Sequence, residues 1–427
     1  QLSKWCGISV TDIEKLTDIF CSTAKIPLVA YTGLEYQLSA IQNNRAIFVL
    51  WAITGKLDAP GAIYLNAKGL ETPKLFEIPE DDKPIGVDEF PLFYKFSGQG
   101  QFSRFPKAVL EDEPYPVRGL MILGGSPVLS FPDSKSWREA YKKLDCLIVL
   151  DRYFTEDARY ADVVFPACSL FEVPKAVPGP EGPHIVEPLI EPVGESKNDV
   201  LIMGAIAKKL GFGDKLPQTE EELRSWLLSG TAPYAGDFGT SADQKKEKHY
   251  KKYETGELRA DGKPGFPTPS GKLEICSTIL EENGFVPYPE YKDVRSIPEL
   301  AGKEYPFTMT SGARSNNRMG VFGANLDKIA EIEPYPFVDV NAEDAKEIGI
   351  EDGDMVKVIT PFADGTFKAK IRGIARHAIH IPHGGGSAYM AEPWKNGNVN
   401  DLCSLDYADP MTGFVLIKSV PCRVEKI

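Results

Sequence analysis

Three short runs of buried-type residues constrain this chain most: "LMIL" (120–123), "CLIVL" (146–150) and "DVVFP" (162–166). The segments between them read as helices. One is "SKSWREAYKKL", with Ser134 or Ser136 as its cap, and the other is "TEDARYA", capped by Thr155. Apolar strands alternating with helices pair in parallel, and the right-handed crossovers this requires bring the strand-end loops to one edge of the sheet. The expectation is an α/β fold with a Rossmann-like parallel sheet. Its carboxyl edge would carry Gly124, Gly125 and Ser126 after the first strand and Asp151 at the end of the second. Open sheets bind ligands in that crevice. An aspartate there can accept hydrogen bonds from ribose hydroxyls or from a purine's ring N–H and amino group. Asp162 could do the same from the third strand or cap its start, and local backbone capping is the competing use of both aspartates.

Around this core the pattern is less regular. Thr11 reads as the cap of a first helix, with Ile13, Leu16, Ile19 and Phe20 at helical spacing. "IPLVAYTG" (26–33) reads as a strand leading into a helix from about Gln37 to Thr54, the start of a further α/β unit. Stretches rich in Pro, Gly and aromatics, about 59–116 and 170–197, read as irregular excursions. "DVLIMGAIAKKLGFGD" is a helix begun by Asp199 and stopped by Gly211. The Lys-rich "DQKKEKHYKK" (243–252) reads as a solvated face, and "FPTPSGKLEI" (266–275) as a Pro-rich turn entering a short strand. From Tyr305 the texture changes to short β runs with a single helix, "AEDAKEIG", which reads as a small β-barrel. The expected division is 1–304 and 305–427.

Composition narrows the function classes. A formal net charge of -13 argues against nucleic acid as a partner, although a local basic pocket can still hold one small anion. The longest apolar candidate, "AIFVLWAITG" (46–55), is too short to span a bilayer. Seven cysteines (6, 21, 146, 168, 276, 403 and 422) form no C-x-x-C and read as small buried hydrophobes, with no zinc ribbon or iron–sulfur ligand run. His377, His380 and His383 read as a strand running into a Gly-rich loop rather than as a metal-binding helix.

Eight segments in order resemble the molybdopterin oxidoreductase family typified by dimethyl sulfoxide reductases, nitrate reductases and formate dehydrogenases. They are "GLEYQLSAIQNNRAIFVLWAITGKLDAPG", "GGSPVLSFPD", "VLDRYFTEDARYADVVFPACSLFE", "EPVGESKNDVLIMGAIAKKLG", "SGKLEI", "TSGARSNNRM", "VDVNAEDAKEIGIEDGD" and the closing "NVNDLCSLDYADPMTGFVLIKSVPCRVEK". The first is most similar to the branch containing acetylene hydratase and phenylacetyl-CoA oxidoreductase.

The resemblance implies a six-stranded double-psi-type barrel after the α/β region. It also implies binding of molybdopterin guanine dinucleotide, with two copies per molybdenum or tungsten. By motif position, Gly124, Ser126, Leu150, Asp151, Asp162 and Asp199 fall on the nucleotide side, with Ser126 offering a hydroxyl where the family often has Asn. Thr310, Gly312, Arg314 and Asn317 match the segment around the pterin and pyrophosphate, and Asn400 and Lys418 match late polar contacts.

The family's metal ligand and, where present, its iron–sulfur cysteines belong to an N-terminal region that has no counterpart here. No residue of this chain is therefore assigned as metal ligand or catalytic. The expectation is a C-terminal portion, inactive alone, whose partners are that N-terminal region or a separate catalytic subunit, with electron-transfer subunits as further candidates. The competing expectations are a naturally separate cofactor-binding subunit, a nonredox hydratase-like member, and an α/β domain with a barrel bearing no such cofactor. The compartment, cytoplasmic or periplasmic, stays open.

Overall fold

The computed structural model describes residues 2–65, 83–177, 182–229, 249–312, 326–390 and 392–427. The three apolar runs form the expected parallel sheet, β1 (Gly119–Leu123), β2 (Cys146–Asp151) and β3 (Val163–Pro166), in the order β1-β2-β3. Ile122, Leu147 and Val149 pack against Phe105, Val109, Trp137, Ala140 and Tyr141 of flanking helices. The helix Ser134–Lys143 is capped by neither serine. Asp133, at φ +58°, accepts from the Ser136 amide at 3.2 Å, because it stands one residue before the first turn and its carboxylate reaches the orphan N–H groups. The "TEDARYA" turn is a short 3-10 helix, Asp157–Arg159, with Thr155 accepting from the Ala158 amide.

A two-stranded antiparallel pair follows, β4 (Lys175–Val177) and β5 (His184–Val186). The second half is a closed barrel of six strands: β6 (Phe307–Ser311), β7 (Phe337–Asn341), β8 (Met355–Ile359), β9 (Asp364–Arg372), β10 (Ala378–Ile381) and β11 (Lys418–Lys426). Their order is β10-β6-β11-β8-β9-β7. The β6–β10 and β7–β9 pairs are parallel and the other four are antiparallel. Alternate residues point inward, so Met309, Val338, Val340, Val356, Val358, Phe367, Ile379, Val420 and Cys422 fill the barrel, and closure leaves no strand edge exposed. The runs "VLIKSV" and "PCRVEKI" contribute one strand, with a register shift between Lys418 and Val420. Asn341 caps the expected barrel helix, Ala342–Glu347, by accepting from the Glu343 amide at 2.9 Å.

The chain after β10 ties the barrel to the sheet. Met390 and Trp394 enter the core beneath the parallel sheet. Asn398 Nδ2 donates to Ser134 Oγ at 2.9 Å, Asn400 Nδ2 to the Leu129 carbonyl at 2.7 Å, and the Ala388 amide to Glu156 at 2.9 Å.

Sheet and barrel belong to one compact unit. The other comprises residues 2–35, 39–65 and 249–291 among those described. Its first helix, Val10–Ser22, is capped by Ser9 and not by Thr11. "IPLVAYTG" forms no strand, and Val29 is 95 % exposed, because among the described residues no strand lies beside it to take its backbone groups. "SGKLEI" likewise forms turns instead of a strand. Lys252, the last residue of the supposed solvated Lys-rich face, is fully buried. Its Nζ lies 2.6 Å from the equally buried Asp58 carboxylate, and it also donates to the His249 carbonyl. The cysteines divide too: Cys403 and Cys422 are buried, Cys168 is half-buried, and Cys6, Cys21, Cys146 and Cys276 are exposed. Only two thus serve as core hydrophobes, since Cys6 and Cys21 sit on helix faces, Cys146 at the exposed start of β2 and Cys276 in a loop.

Candidate functional site

The carboxyl edge of the parallel sheet is built by backbone first. Gly124 follows β1 at φ +58°, a conformation that favours glycine, and its N–H donates to the Leu150 carbonyl at 2.9 Å. A Cβ at Gly124 would meet nothing within 4 Å, so the crest of this turn faces open space. Leu150 is buried, and its carbonyl serves that bond. Asp151, half-buried, accepts from the Tyr153 amide at 3.1 Å, which leaves its second oxygen available.

Asp199 is the first residue of the helix Asp199–Lys209, whose cap is Asn198. Its Oδ1 is buried and has no hydrogen-bond partner among the described residues. Burial raises the Asp199 pKa, the charge of Asp151 adds to the rise, and Arg152 opposes it. Two carboxylates thus act on each other at this edge, one of them with an unmet acceptor.

Two candidates take other roles. Ser126 Oγ donates to the buried Asp157 carboxylate, so its single hydrogen is committed and cannot serve a ligand. Asp157 also accepts from Tyr141 Oη at 2.7 Å and from the Val128 amide at 3.1 Å. This carboxylate pins the Gly-rich turn from below, and burial still pushes its pKa above the usual aspartate range despite three donors. Asp162 lies at the start of β3, at the opposite end of the strands from Asp151. It accepts from the Leu147 amide at 2.7 Å and fixes the start of β2. Its strand-capping use prevails because parallel strands carry their ligand crevice only at the carboxyl ends.

The barrel half gathers at one rim. Thr310 near the end of β6 lies opposite both His380 of β10 and Lys418 of β11. Gly312 adopts φ +101°, and a Cβ there would come 2.5 Å from Lys418 Nζ and 3.3 Å from His383 Nε2. Only glycine leaves that cradle open. Lys418 is 8 % exposed and takes part in no ion pair among the described residues. Burial lowers its pKa, with the Cys403 thiol opposing. Asn400 is fully buried: its Nδ2 and carbonyl hold the sheet half at Leu129 and Asp133, and its Oδ1 has no partner. Arg314 and Asn317 lie outside the described residues. Sequence reasoning missed Asp157, read merely as part of a short helix, and the pair formed by His380 Nδ1 and Asp339 Oδ2 at 3.0 Å. Neither carries a local signal, since both partnerships join separate segments.

Comparison with known proteins decides the family. The family described as molybdopterin oxidoreductase matches residues 37–209, and the molydopterin dinucleotide binding domain matches residues 308–421. The chain belongs to the molybdopterin oxidoreductase family. It is 27 % identical over 376 residues to the probable oxidoreductase YoaE of Bacillus subtilis, covering 84 % of this chain and 51 % of that protein. To the F420-dependent formate dehydrogenase subunit alpha of Methanocaldococcus jannaschii it is 26 % identical over 404 residues, covering 89 % and 56 %. To acetylene hydratase of Syntrophotalea acetylenica it is 25 % identical over 424 residues, covering 90 % and 57 %. The chain thus spans about half the length of these relatives. The solved acetylene hydratase from Pelobacter acetylenicus shares the fold, with a TM-score of 0.80, 21 % identity, and coverage of 99 % of this chain and 63 % of that one.

Proposed function

We propose that this molybdopterin oxidoreductase chain holds molybdopterin guanine dinucleotide, with the guanine at Asp151 and Asp199 and the pyrophosphate and pterin at the barrel rim. On this reading it is the C-terminal portion of a molybdenum or tungsten enzyme that moves electrons or an oxygen atom, with two such cofactors per metal. The observation that carries the reading is the buried, unpartnered Oδ1 of Asp199 beside Asp151. Ionised carboxylates only accept, and guanine presents a ring N–H and an amino group side by side, a pair of donors that adenine and cytosine lack.

The barrel residues suit the other end of the cofactor. Gly312 keeps space beside a buried lysine that has no counter-anion among the described residues, and such an ammonium offsets diphosphate charge. Gly124 lets backbone approach a ligand closely, and Thr310 adds a hydroxyl at the rim. When bound, the cofactor supplies the dithiolene sulfurs and the metal's redox chemistry; the protein's part is to bind, orient and exclude water. The metal ligand, and any iron–sulfur centre, would come from a region or subunit beyond this chain, which alone would not turn over. The similarity to acetylene hydratase supports a nonredox reaction as the second reading.

Calorimetric titration with GMP, AMP and CMP tests the guanine assignment. GMP should bind at least tenfold tighter than the other two. Asp199→Asn should weaken GMP by about 1.5–3 kcal/mol, the worth of a hydrogen bond to a charged group. Equal binding of the three nucleotides, unchanged in the variant, would refute it.

A further inference from the structure

Four barrel strands bring one polar row across the rim. Lys418 of β11 lies opposite Thr310 of β6, Thr310 opposite His380 of β10, and His380 opposite Asp339 of β7. Directly paired residues share a face of a sheet, and the flanking Met309, Val338, Val340, Ile379 and Ile381 are the ones that point into the core. Since β6 and β10 are parallel, Gly312 and His383 follow at the same end of the barrel.

The Asp339 end of this row has its own chemistry. Asp339 Oδ2 lies 3.0 Å from His380 Nδ1, and Arg372 Nε lies 3.3 Å from Asp339 Oδ1. A carboxylate only accepts, so the Nδ1 in this contact carries the hydrogen, and in the neutral ring Nε2 is left as an acceptor. That Nε2 is buried and has no hydrogen-bond partner among the described residues. Buried polar atoms are almost always paired, so an acceptor held in one orientation and left unmet marks a place where a donor is expected. The row therefore offers a cation at Lys418 and an oriented acceptor at His380. That combination complements a ligand bearing both anionic oxygens and heterocyclic N–H groups.

We propose that His380 is a further ligand contact at the rim, its Nε2 accepting a hydrogen bond from a ring or amino N–H of a pteridine, with Asp339 as the positioning residue. The proposal rests on the reading that the rim takes the pterin side of the cofactor. No covalent step is involved. Asp339 sets which nitrogen of the ring bears hydrogen, and thereby makes Nε2 an acceptor of N–H groups.

The test is 15N NMR of the full chain labelled at histidine, titrated with neopterin, and with GMP in a separate titration. In the free protein the His380 Nε2 resonance should be of the unprotonated type. It should move on saturation with neopterin and stay in place with GMP. His380→Gln should weaken neopterin binding about fivefold to tenfold, the range of one lost hydrogen bond, and leave GMP affinity unchanged. Asp339→Asn keeps the volume of the side chain but can donate to Nδ1, which lets the hydrogen sit on Nε2. It should weaken neopterin by a similar factor while changing the tautomer signature, an effect that a merely structural role would not produce. If His380→Gln does not fold, the Asp339→Asn spectrum and titration decide alone. A stationary Nε2 resonance, or equal neopterin affinity in wild type and a folded variant, overturns the proposal. Absence of neopterin binding to wild type overturns it as well, and the GMP titration then reports separately whether the nucleotide half of the functional reading stands.

Discussion

Replacing Asp157 with alanine should be among the most damaging single changes in the sheet half. The carboxylate is fully buried and takes three hydrogen bonds, from Ser126 Oγ, the Val128 amide and Tyr141 Oη. Removing it leaves three buried donors, and each unmet donor costs about 1–3 kcal/mol, for a gross loss of roughly 3–9. The carboxylate's own desolvation, visible as its raised pKa, offsets part of this. A net loss of about 3–4 kcal/mol follows, with Tyr141→Phe near 1 because two donors remain. Urea unfolding followed by far-UV circular dichroism reads both.

The pH dependence has a definite sign. The folded pKa of Asp157 lies above the unfolded value, so the folded state binds more protons between the two. The stability contributed by this group is full below the ordinary aspartate value and declines as pH rises through the raised one. Asp157→Asn, which has no proton to lose, should therefore gain stability relative to wild type as pH rises across that window. An Asp157→Ala loss below 1 kcal/mol, or a flat difference between wild type and Asp157→Asn, would refute the reasoning.

Other outcomes follow from the same structure. Asp58→Ala should cost about 3–5 kcal/mol by leaving the Lys252 ammonium buried without its partner, and the double change Asp58→Ala with Lys252→Met should recover part of that in denaturant melts. Glu172, held at a pKa of about 2 by hydrogen bonds from Ser169, the Val193 amide and Ser196, should keep the amides of Ser169 and Val193 protected from exchange at neutral pH. That protection should fade as pH falls below the ordinary glutamate range toward 2, and Glu172→Gln should remove the pH dependence. A thiol reagent should modify Cys6, Cys21, Cys146 and Cys276 in the native protein. Cys403, its thiol pushed up to about 12 by burial, and Cys422 should react only after unfolding.

Much of the fold was legible in the sequence because its signals are local. Four or five apolar residues bounded by helical patterns specify a buried parallel strand, and parallel pairing then puts Gly124 and Asp151 at one edge. Short β runs with turn residues likewise foretold the barrel from Tyr305 onward. What escaped depends on partners distant in sequence. "IPLVAYTG" has the composition of a strand but finds no sheet. Lys252 reads as a surface charge until Asp58, nearly two hundred residues away, is beside it. Ser126 and Asp162 were sound candidates by position, yet Asp157 occupies one hydroxyl and the Leu147 amide occupies the other carboxylate. His380 and Asp339 meet only because β7 and β10 are neighbours in the closed barrel, a pairing that no local pattern encodes.

The central claim is that a pterin carrying guanine nucleotide binds between the sheet edge and the barrel rim. The most direct measurement is acid release and chromatographic identification of what the protein retains when purified from a cell that makes the cofactor. The account predicts GMP and a fluorescent pterin in equal amounts, both lost on changing Asp199 and Lys418 together. Release of CMP or AMP, or of pterin without any nucleotide, would contradict it.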